Sequence, residues 1–182
     1  YEELNVVVAH LGGGITVGAH RRGKVIDCTH GLGEGPFTPE RAGSLPTQDL
    51  LELAGSGKLD WKALQGRLVG QGGLVAYLGT SDAQRVEEMI AAGDEKAELI
   101  YAAMAYQVAK DIGAMATVLA GSLDGIVLTG GLAHSGRLTS LIKERVSFLA
   151  PVHVYPGEDE MSALAEGGLR VLDGEEEIKS YG

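Results

Sequence analysis

The sequence predicts an α/β fold in which helices cover the faces of a mixed sheet. Within the first 28 residues, three short apolar runs are separated by turns that contain glycine, which is the pattern of an antiparallel meander. Most of the remaining chain consists of longer segments with helical periodicity. Two more apolar runs, before Gly130 and after Pro151, are interleaved with those segments, and this order favours a sheet with helices on its faces.

Size and charge narrow the class of protein. A chain of 182 residues, 45% of them hydrophobic, can bury one core, so one domain is the default. The net charge of −10, with no basic cluster beyond Arg21 and Arg22, argues against nucleic-acid and membrane partners and favours a small or cationic one. No apolar stretch reaches the roughly 18 residues of a spanning helix, and no export signal precedes the first strand, so we expect a cytoplasmic protein. The single cysteine, Cys28, has no partner for an intramolecular disulfide or a structural zinc site.

The first three strands follow from their side-chain patterns. The run from Leu4 to Leu11 is almost continuously apolar and rich in valine, which is typical of a strand covered on both faces. After the glycines that follow Leu11, the segment ITVGAH alternates apolar residues with polar or small ones and predicts a second strand. The segment RRG then supplies a turn, and KVIDC predicts a third strand.

A long irregular segment follows the meander. From Gly31 to Pro46 the chain reads GLGEGPFTPERAGSLP, and its prolines and glycines exclude the interior of a helix or a sheet. A loop of this length within a compact domain is usually functional or disordered. The segment contains Arg41, which without further context would be a surface arginine.

Helices are predicted over most of the remaining chain. The first four cover Thr47 to Ala54, a segment that starts at the N-cap Asp60, a segment from Ser81-Asp82 to about Ala92, and Glu95 to Ala120. In the longest of these, apolar residues fall near a 3.6-residue period at Leu99, Ala103, Tyr106, Ile112 and Met115. The chain ends with a helix in RLTSLIKERVSFL, a short strand in PVHVYPG, a helix from Glu160 to Leu172 and a charged tail.

Two glycine-rich turns are candidate ligand sites. Successive glycines allow backbone amides to point into one concavity, where they bind phosphate oxygens. The first turn consists of Gly12, Gly13 and Gly14, directly after the strand end that carries His10 and Leu11. The second, Thr129-Gly130-Gly131, lies between a strand and a helix, where open α/β sheets bind ligands. Taken alone, each is also consistent with an ordinary turn, and a lone histidine is more often a hydrogen-bonded core residue, but the two turns together favour a ligand site.

Five segments extend this interpretation, because in this order they resemble the C-terminal half of the butyrate kinases, which belong to the acetate kinase family of the actin-like ATPase superfamily. They are VVVAHLGGGITVGAHRRGKVID, GEGPFTPERAGSLP, YLGTSDA, IVLTGGLAHS and YPGEDEMSALAEGGLRVL. The resemblance spans essentially the whole chain and implies a ribonuclease H-like fold. Residues 1–182 would form the C-terminal nucleotide-binding domain of a two-domain carboxylate kinase, without its N-terminal domain. The start without a methionine suggests such a fragment.

The resemblance also implies an activity. The expected reaction is the reversible, Mg²⁺-dependent transfer of phosphate from ATP to a short-chain carboxylate, either butyrate or a branched-chain fatty acid, with ADP and an acyl phosphate as products. This chain alone would be inactive or nearly so. Because family members pair into dimers through this domain, the resemblance also implies a homodimer or a higher homo-oligomer. The alternatives are another actin-like kinase, acting on acetate or a sugar, and a non-catalytic module for nucleotide binding or dimerisation through the helix from Glu95 to Ala120.

Family members place functional residues at motif positions that this chain shares. The match implies that His10 and Arg41 are catalytic, with both stabilising the transferred phosphoryl group. An arginine suits that role because its charged guanidinium forms two parallel hydrogen bonds. The residues implied in nucleotide binding are Gly12, Gly13, Gly14, Asp82, Gly130, Gly131 and Leu132.

Some of these implied roles leave alternatives open. Asp82 could cap a helix as well as bind nucleotide, and Gln84 stands where the related sequences lead us to expect arginine. Ser135 is equally consistent with a helix cap and a polar ligand contact. The resemblance implies that Glu160 holds Mg²⁺, through water or directly. Glu158 and Asp159 compete for that role, and an acidic helix start that stabilises the macrodipole is an alternative.

Overall fold

The structure, a computed structural model, describes residues 1–157 and 159–178, with the side chain of Glu160 also outside the described part. Its centre is a five-stranded sheet in the order β3-β2-β1-β4-β5. The strands are β1 (Asn5–Leu11), β2 (Ile15–Arg21), β3 (Lys24–Cys28), β4 (Gly125–Gly130) and β5 (Val152–Pro156). All three strands predicted in the first 28 residues are confirmed.

The pairing of the strands makes the sheet mixed, as predicted. Strands β1, β2 and β3 form an antiparallel meander, whereas β4 and β5 continue the sheet from β1 in parallel. The register places His10 opposite Thr16 of β2 and opposite Thr129 of β4. The carboxyl ends of β1, β4 and β5 therefore lie along one edge of the sheet, where open α/β sheets bind ligands.

Seven helices are described. They are α1 (Thr47–Gly55), α2 (Trp61–Leu68), α3 (Gly73–Leu78), α4 (Ala83–Ala91), α5 (Glu95–Val118), α6 (Gly136–Val146) and α7 (Glu160–Leu172). Asp60 caps α2 as predicted, since its carboxylate accepts a hydrogen bond from the amide of Ala63 at 2.7 Å. The sequence did not predict α3, because its glycine pair at the start is typical of a turn. Gly73 is left-handed, with φ +56°, and the helix is six residues long.

The core lies between the sheet and α5. Buried apolar side chains of β1 and β2 pack against the side chains that α5 points inward, namely Ala97, Tyr101, Met104, Ala105, Val108, Ile112 and Met115. The prediction of the apolar face was partly wrong, because Leu99 and Tyr106 are exposed to 67% and 50%. Apolar residues occur on both sides of this alanine-rich helix, so periodicity alone did not identify the side that faces the sheet.

The segment 31–46 is irregular, as predicted, but it is fixed at several points. The amide of Phe37 donates to Oε1 of Gln107 on α5 at 2.9 Å. The amide of Ala42 donates to the carbonyl of Leu68, and Arg41 pairs with Val69 in an isolated bridge. We call residues 31–46 the arginine loop. It is held between α5 and the segment that joins α2 to α3.

Three elements leave much of their surface exposed. No residue of α1 is buried. All five residues of the edge strand β3 are exposed. The helix α7 contains no buried residue among those whose side chains are described, and its Met161, Leu164 and Leu172 are more than two-thirds exposed. Within the described residues, no helix has the length and apolarity needed to cross a bilayer.

Candidate functional site

The end of β1 presents His10 and the first glycine turn. His10 is half-buried at the second-last position of the central strand, beside Thr129 of β4. The amide of Gly12 donates to the carbonyl of Gly14 at 3.0 Å, so the turn itself uses that amide. The assignment of Gly12, Gly13 and Gly14 to nucleotide binding stays a prediction, with one of the three amides engaged within the turn.

The arginine loop brings Arg41 onto this turn. Its Nη1 donates to the carbonyl of Gly31 at 2.7 Å. A methyl group built at Gly14 would lie 2.5 Å from Cζ of Arg41, so the guanidinium occupies the space that a side chain at Gly14 would need. The two residues implied in catalysis, His10 and Arg41, therefore belong to adjoining segments of one site.

Thr38 fixes the arginine loop to the glycine turn. Its hydroxyl donates to the carbonyl of Gly13 at 2.7 Å and accepts from the amide of Arg41 at 3.0 Å. The side chain is buried. Sequence reasoning did not identify Thr38, although the threonine stands three residues before the arginine, at a distance from which side-chain caps commonly form.

Gly130 contributes through its backbone shape. Its φ is +91°, and a methyl group built on it would lie 2.5 Å from the carbonyl oxygen of Leu11. The amide of Gly130 donates to the carbonyl of Gly157 at 3.2 Å, and the amide of Gly157 donates back at 3.1 Å. This amide is therefore used within the protein, and the assignment of Gly130 to nucleotide binding stays a prediction. Because Gly130 has no side chain, β4 can lie close to the end of β1. Its amide pairs the end of β4 with Gly157, the residue that follows β5.

A pocket of about 360 Å³ lies next to this edge. One wall is formed by the start of α4, and the other by the 3-10 turn Gly131–His134 and the start of α6. The lining residues are Ser81, Asp82, Ala83, Gln84, Glu87, Gly131, Leu132, His134 and Ser135. Three residues implied in nucleotide binding from distant parts of the sequence, Asp82, Gly131 and Leu132, thus line one cavity.

Asp82 and Ser135 have the capping roles that the sequence left open, and both also line the pocket. The carboxylate of Asp82 accepts from the amides of Gln84 at 2.9 Å and Arg85 at 3.3 Å and caps α4. Ser135 caps α6 by accepting from the amide of Leu138 at 2.9 Å. Arg85 does not line the pocket and forms an exposed ion pair with Glu88 instead.

Three acidic residues, Glu158, Asp159 and Glu160, follow β5 in the sequence. Strand β5 ends beside β4, and Gly157 pairs with Gly130 in an isolated bridge. Asp159 is exposed and precedes α7. Glu158 and the side chain of Glu160 lie outside the described residues, so the assignment of Glu160 to Mg²⁺ stays a prediction. Among the side chains that are described, no three His, Cys, Asp or Glu residues cluster as metal ligands.

The fold and the comparisons with known proteins define the class of this protein. The mixed sheet with a meander at one end, two parallel strands at the other and helices packed on it has the ribonuclease H-like fold of actin-like ATPases and sugar kinases, as predicted. The model of the acetokinase family matches residues 1–157. The chain belongs to the acetokinase family.

Solved structures resemble this chain throughout its length. The acetate kinase of Porphyromonas gingivalis has a TM-score of 0.83 and 22% identity, over 94% of this chain and 50% of that one. A propionate kinase from Francisella tularensis has a TM-score of 0.78 and 24% identity, over 87% and 47%. The ROK hexokinase of Thermus thermophilus has a TM-score of 0.54 and 19% identity, over 94% and 59%. This chain spans about half the length of the acetate and propionate kinases that it matches.

Proposed function

We propose that this chain is the C-terminal, nucleotide-binding domain of a two-domain carboxylate kinase that transfers phosphate from ATP to a short-chain carboxylate. One observation carries the proposal. In a chain of the acetokinase family, His10 and Arg41 adjoin one glycine turn, and Asp82 and Leu132 line a pocket by the same sheet edge.

The charge of the site supports an orientation for the nucleotide. The described lining of the pocket includes the carboxylates of Asp82 and Glu87 and contains neither lysine nor arginine. Such a lining repels phosphate and suits the hydroxyl and amino donors of a nucleoside. The phosphates would extend toward the glycine turn, where Arg41 supplies the positive charge.

His10 and Arg41 fit the requirements of phosphoryl transfer. The transferred group carries charge on its equatorial oxygens, so donors that are already in position stabilise the transition state. Arg41 is pre-oriented because the carbonyl of Gly31 holds Nη1. His10 stands at the end of the central strand, whose position the sheet fixes on both sides.

Mg²⁺ fits the chemistry of the acidic segment that follows β5. This cation prefers oxygen ligands and keeps several of its waters, so a single carboxylate can hold it with the phosphates. Glu160 is our proposed residue, with Glu158 and Asp159 as alternatives. When bound, the ion would neutralise charge that develops on the phosphates.

The exposed face of α7 supports the proposal of a second domain. Apolar side chains such as Met161, Leu164 and Leu172 are exposed in this chain, and burying them would be favourable. We propose that the N-terminal domain, with most of the acyl pocket, packs there, and that the exposed apolar residues of α5 contribute to a homodimer. Sedimentation at several concentrations tests the dimer, and a strict monomer would contradict it.

A kinase assay on the two-domain enzyme tests the reaction. ATP-dependent formation of acyl phosphate, trapped as the hydroxamate, should occur with short-chain carboxylates and should be nearly absent with this chain alone. We expect His10→Ala to lower kcat by about 10²–10³-fold because it removes a donor to the transition state. A loss of less than about tenfold would contradict the role given to His10.

The acyl acceptor is the part of the proposal with a second candidate. Our proposal is butyrate or a branched-chain fatty acid, based on the motifs GEGPFTPERAGSLP and YPGEDEM. Acetate or propionate is favoured by a different observation, because structural relatives with high TM-scores are an acetate kinase and a propionate kinase. Comparing kcat/KM for acetate, propionate, butyrate and isobutyrate in the same assay decides between them.

A further inference from the structure

Glu87 connects three helices beside the nucleotide pocket. It lies on α4, lines the pocket and is half-buried. Its Oε1 accepts a hydrogen bond from the hydroxyl of Tyr101 on α5 at 3.0 Å. The same oxygen accepts a second, short hydrogen bond from the hydroxyl of Ser135 at the start of α6. Glu87 is therefore the common acceptor for two hydroxyl groups.

One oxygen of the Glu87 side chain can accept both hydroxyl hydrogen bonds of this cluster. Tyr101 and Ser135 each have one hydroxyl proton, and each can donate it to Oε1. The oxygen of Ser135 also accepts from the amide of Leu138, so its helix cap and its bond to Glu87 coexist.

Tyr101 supports the cluster from behind the pocket. Its side chain is fully buried and is not among the residues that line the cavity. Burial raises the pKa of its hydroxyl above the ordinary value, so Tyr101 stays protonated and continues to donate at neutral pH. A nucleotide in the pocket cannot touch Tyr101, and any effect of this hydroxyl on binding must pass through Glu87 or Ser135.

The cluster sets the distance between the two walls of the pocket. One wall is the start of α4, which Asp82 caps. The other wall contains Leu132 and Ser135. The hydrogen bond between Glu87 and Ser135 joins the two walls directly. The hydrogen bond from Tyr101 to Glu87 connects them to α5, the helix that packs on the sheet. No other hydrogen bond described between α4 and the segment 131–135 does this.

We propose that Glu87 is a positioning residue for the nucleotide, which holds the walls of the pocket at binding distance through its hydrogen bonds to Ser135 and Tyr101. This inference rests on the proposed function of the pocket. It concerns a residue that the family motifs in the sequence did not identify.

Isothermal titration calorimetry of the chain with Mg-ADP tests the proposal. Glu87→Ala should weaken binding by about 10-fold to 100-fold, because it removes a charged acceptor that serves two donors. Tyr101→Phe should weaken binding by about 3-fold to 10-fold, although Tyr101 lies outside the pocket. Glu87→Gln should bind within about threefold of the wild type, because the amide oxygen can still accept both hydrogen bonds.

Glu88→Ala is the matched control. Glu88 is the next residue of α4, is 65% exposed and pairs with Arg85 on the surface, away from the pocket. Its removal should leave the affinity for Mg-ADP unchanged within about twofold, since exposed ion pairs contribute little. Thermal unfolding of every variant separates a loss of affinity from a loss of folded protein.

The outcomes distinguish this inference from the proposed function. If the wild type binds Mg-ADP and folded Glu87→Ala or Tyr101→Phe binds equally well, the positioning role is wrong. If Glu87→Gln loses as much affinity as Glu87→Ala, the charge of Glu87 acts on the ligand directly and the positioning role is again wrong. If the wild type binds no Mg-ADP at millimolar concentration, the proposed function fails, and the inference fails with it.

Discussion

The guanidinium of Arg41 is positioned by the lack of a side chain at Gly14. The hydrogen bond from Arg41 to the carbonyl of Gly31 and the contact with Gly14 define the orientation of the guanidinium. A side chain at position 14 would need the same space, and the long side chain of Arg41 could move aside to provide it. We therefore expect Gly14 to matter more for the orientation of Arg41 than for stability.

We predict that Gly14→Ala lowers kcat of the two-domain enzyme with little loss of stability. The new methyl group would displace the guanidinium of Arg41, which can swing away cheaply, and the cost in kcat should be about 10-fold to 100-fold. Gly33→Ala is the control, because a methyl group there would lie 3.8 Å from its nearest neighbour, Nδ1 of His30. Equal kcat for the two variants would show that Arg41 is not positioned in this way.

Asp111 on α5 lowers the free energy of unfolding when its carboxyl group is ionised, so its effect on stability depends on pH. Its Oδ2 is buried without a hydrogen-bond partner among the described residues. Burial raises the pKa of this carboxyl above 3.8, Lys110 acts to lower the pKa, and Glu34 acts to raise it. The unfolded chain therefore releases this proton at lower pH than the folded chain does, and the stability present below pH 3.8 falls as pH rises through the folded pKa.

We predict that Asp111→Asn is more stable than the wild type at about pH 7 and loses less stability between about pH 4 and about pH 7. Urea unfolding at both pH values measures the two differences. Asp173→Asn, the same change at an exposed position after α7, is the matched control. If the wild type is more stable than Asp111→Asn at neutral pH, the buried carboxylate does not destabilise the folded chain and the prediction is wrong.

At the scale of elements, the junction of β1 and β4 depends on one glycine. Gly130 has a left-handed φ, and its Cα faces the backbone of Leu11. The reciprocal hydrogen bonds with Gly157 then hold β4 and the chain after β5 together. This junction brings the end of β1, with His10, next to the 3-10 turn that lines the pocket.

We predict that Gly130→Ala destabilises the chain by about 2 kcal/mol or more, because a methyl group would collide with backbone and a left-handed φ is strained for alanine. Gly113→Ala is the opposite case, since Gly113 lies within α5 and has open space at its Cβ position. That change should stabilise by about 0.5–1 kcal/mol. Chemical unfolding measures both, and a tolerated Gly130→Ala would disprove the tight junction.

Some of these elements could be predicted from the sequence and others could not, because only some depend on local patterns. Strands β1 to β3 and the cap at Asp60 were predicted because apolar runs, alternation, glycine turns and capping residues are local signals. The helix α3 was not, because its start at Gly73 is stabilised by contacts with the arginine loop, which no local pattern records. The inward face of α5 was predicted only in part, because tertiary packing chooses between two apolar sides.

The residues of the candidate site likewise include some that the sequence identified and some that only the structure identified. Family motifs pointed to His10, Arg41 and Asp82, and the structure places them around one sheet edge. Thr38 and Glu87 were not predicted, because their partners Gly13 and Ser135 are far away in sequence. Only the fold brings such pairs into contact.

At the scale of the whole molecule, α7 is the element that suggests a further partner. Leu164 is 71% exposed, so it contributes little to the stability of this chain. We predict that Leu164→Ser leaves the thermal midpoint of this chain nearly unchanged and lowers that of the two-domain enzyme, where we propose that the residue is buried. An unchanged midpoint in both would indicate that α7 is not covered by the N-terminal domain.

We expect this chain to hold the nucleotide beside the carboxyl ends of β1 and β4, next to the start of α4. Titration of the isotope-labelled chain with Mg-ADP, followed by backbone amide NMR, tests this binding site. We expect chemical-shift changes that saturate and are concentrated at residues 12–14, 81–87 and 130–135. An absence of shifts at millimolar Mg-ADP, or shifts confined to another surface such as the cavity lined by Arg67 and Tyr77, would contradict it.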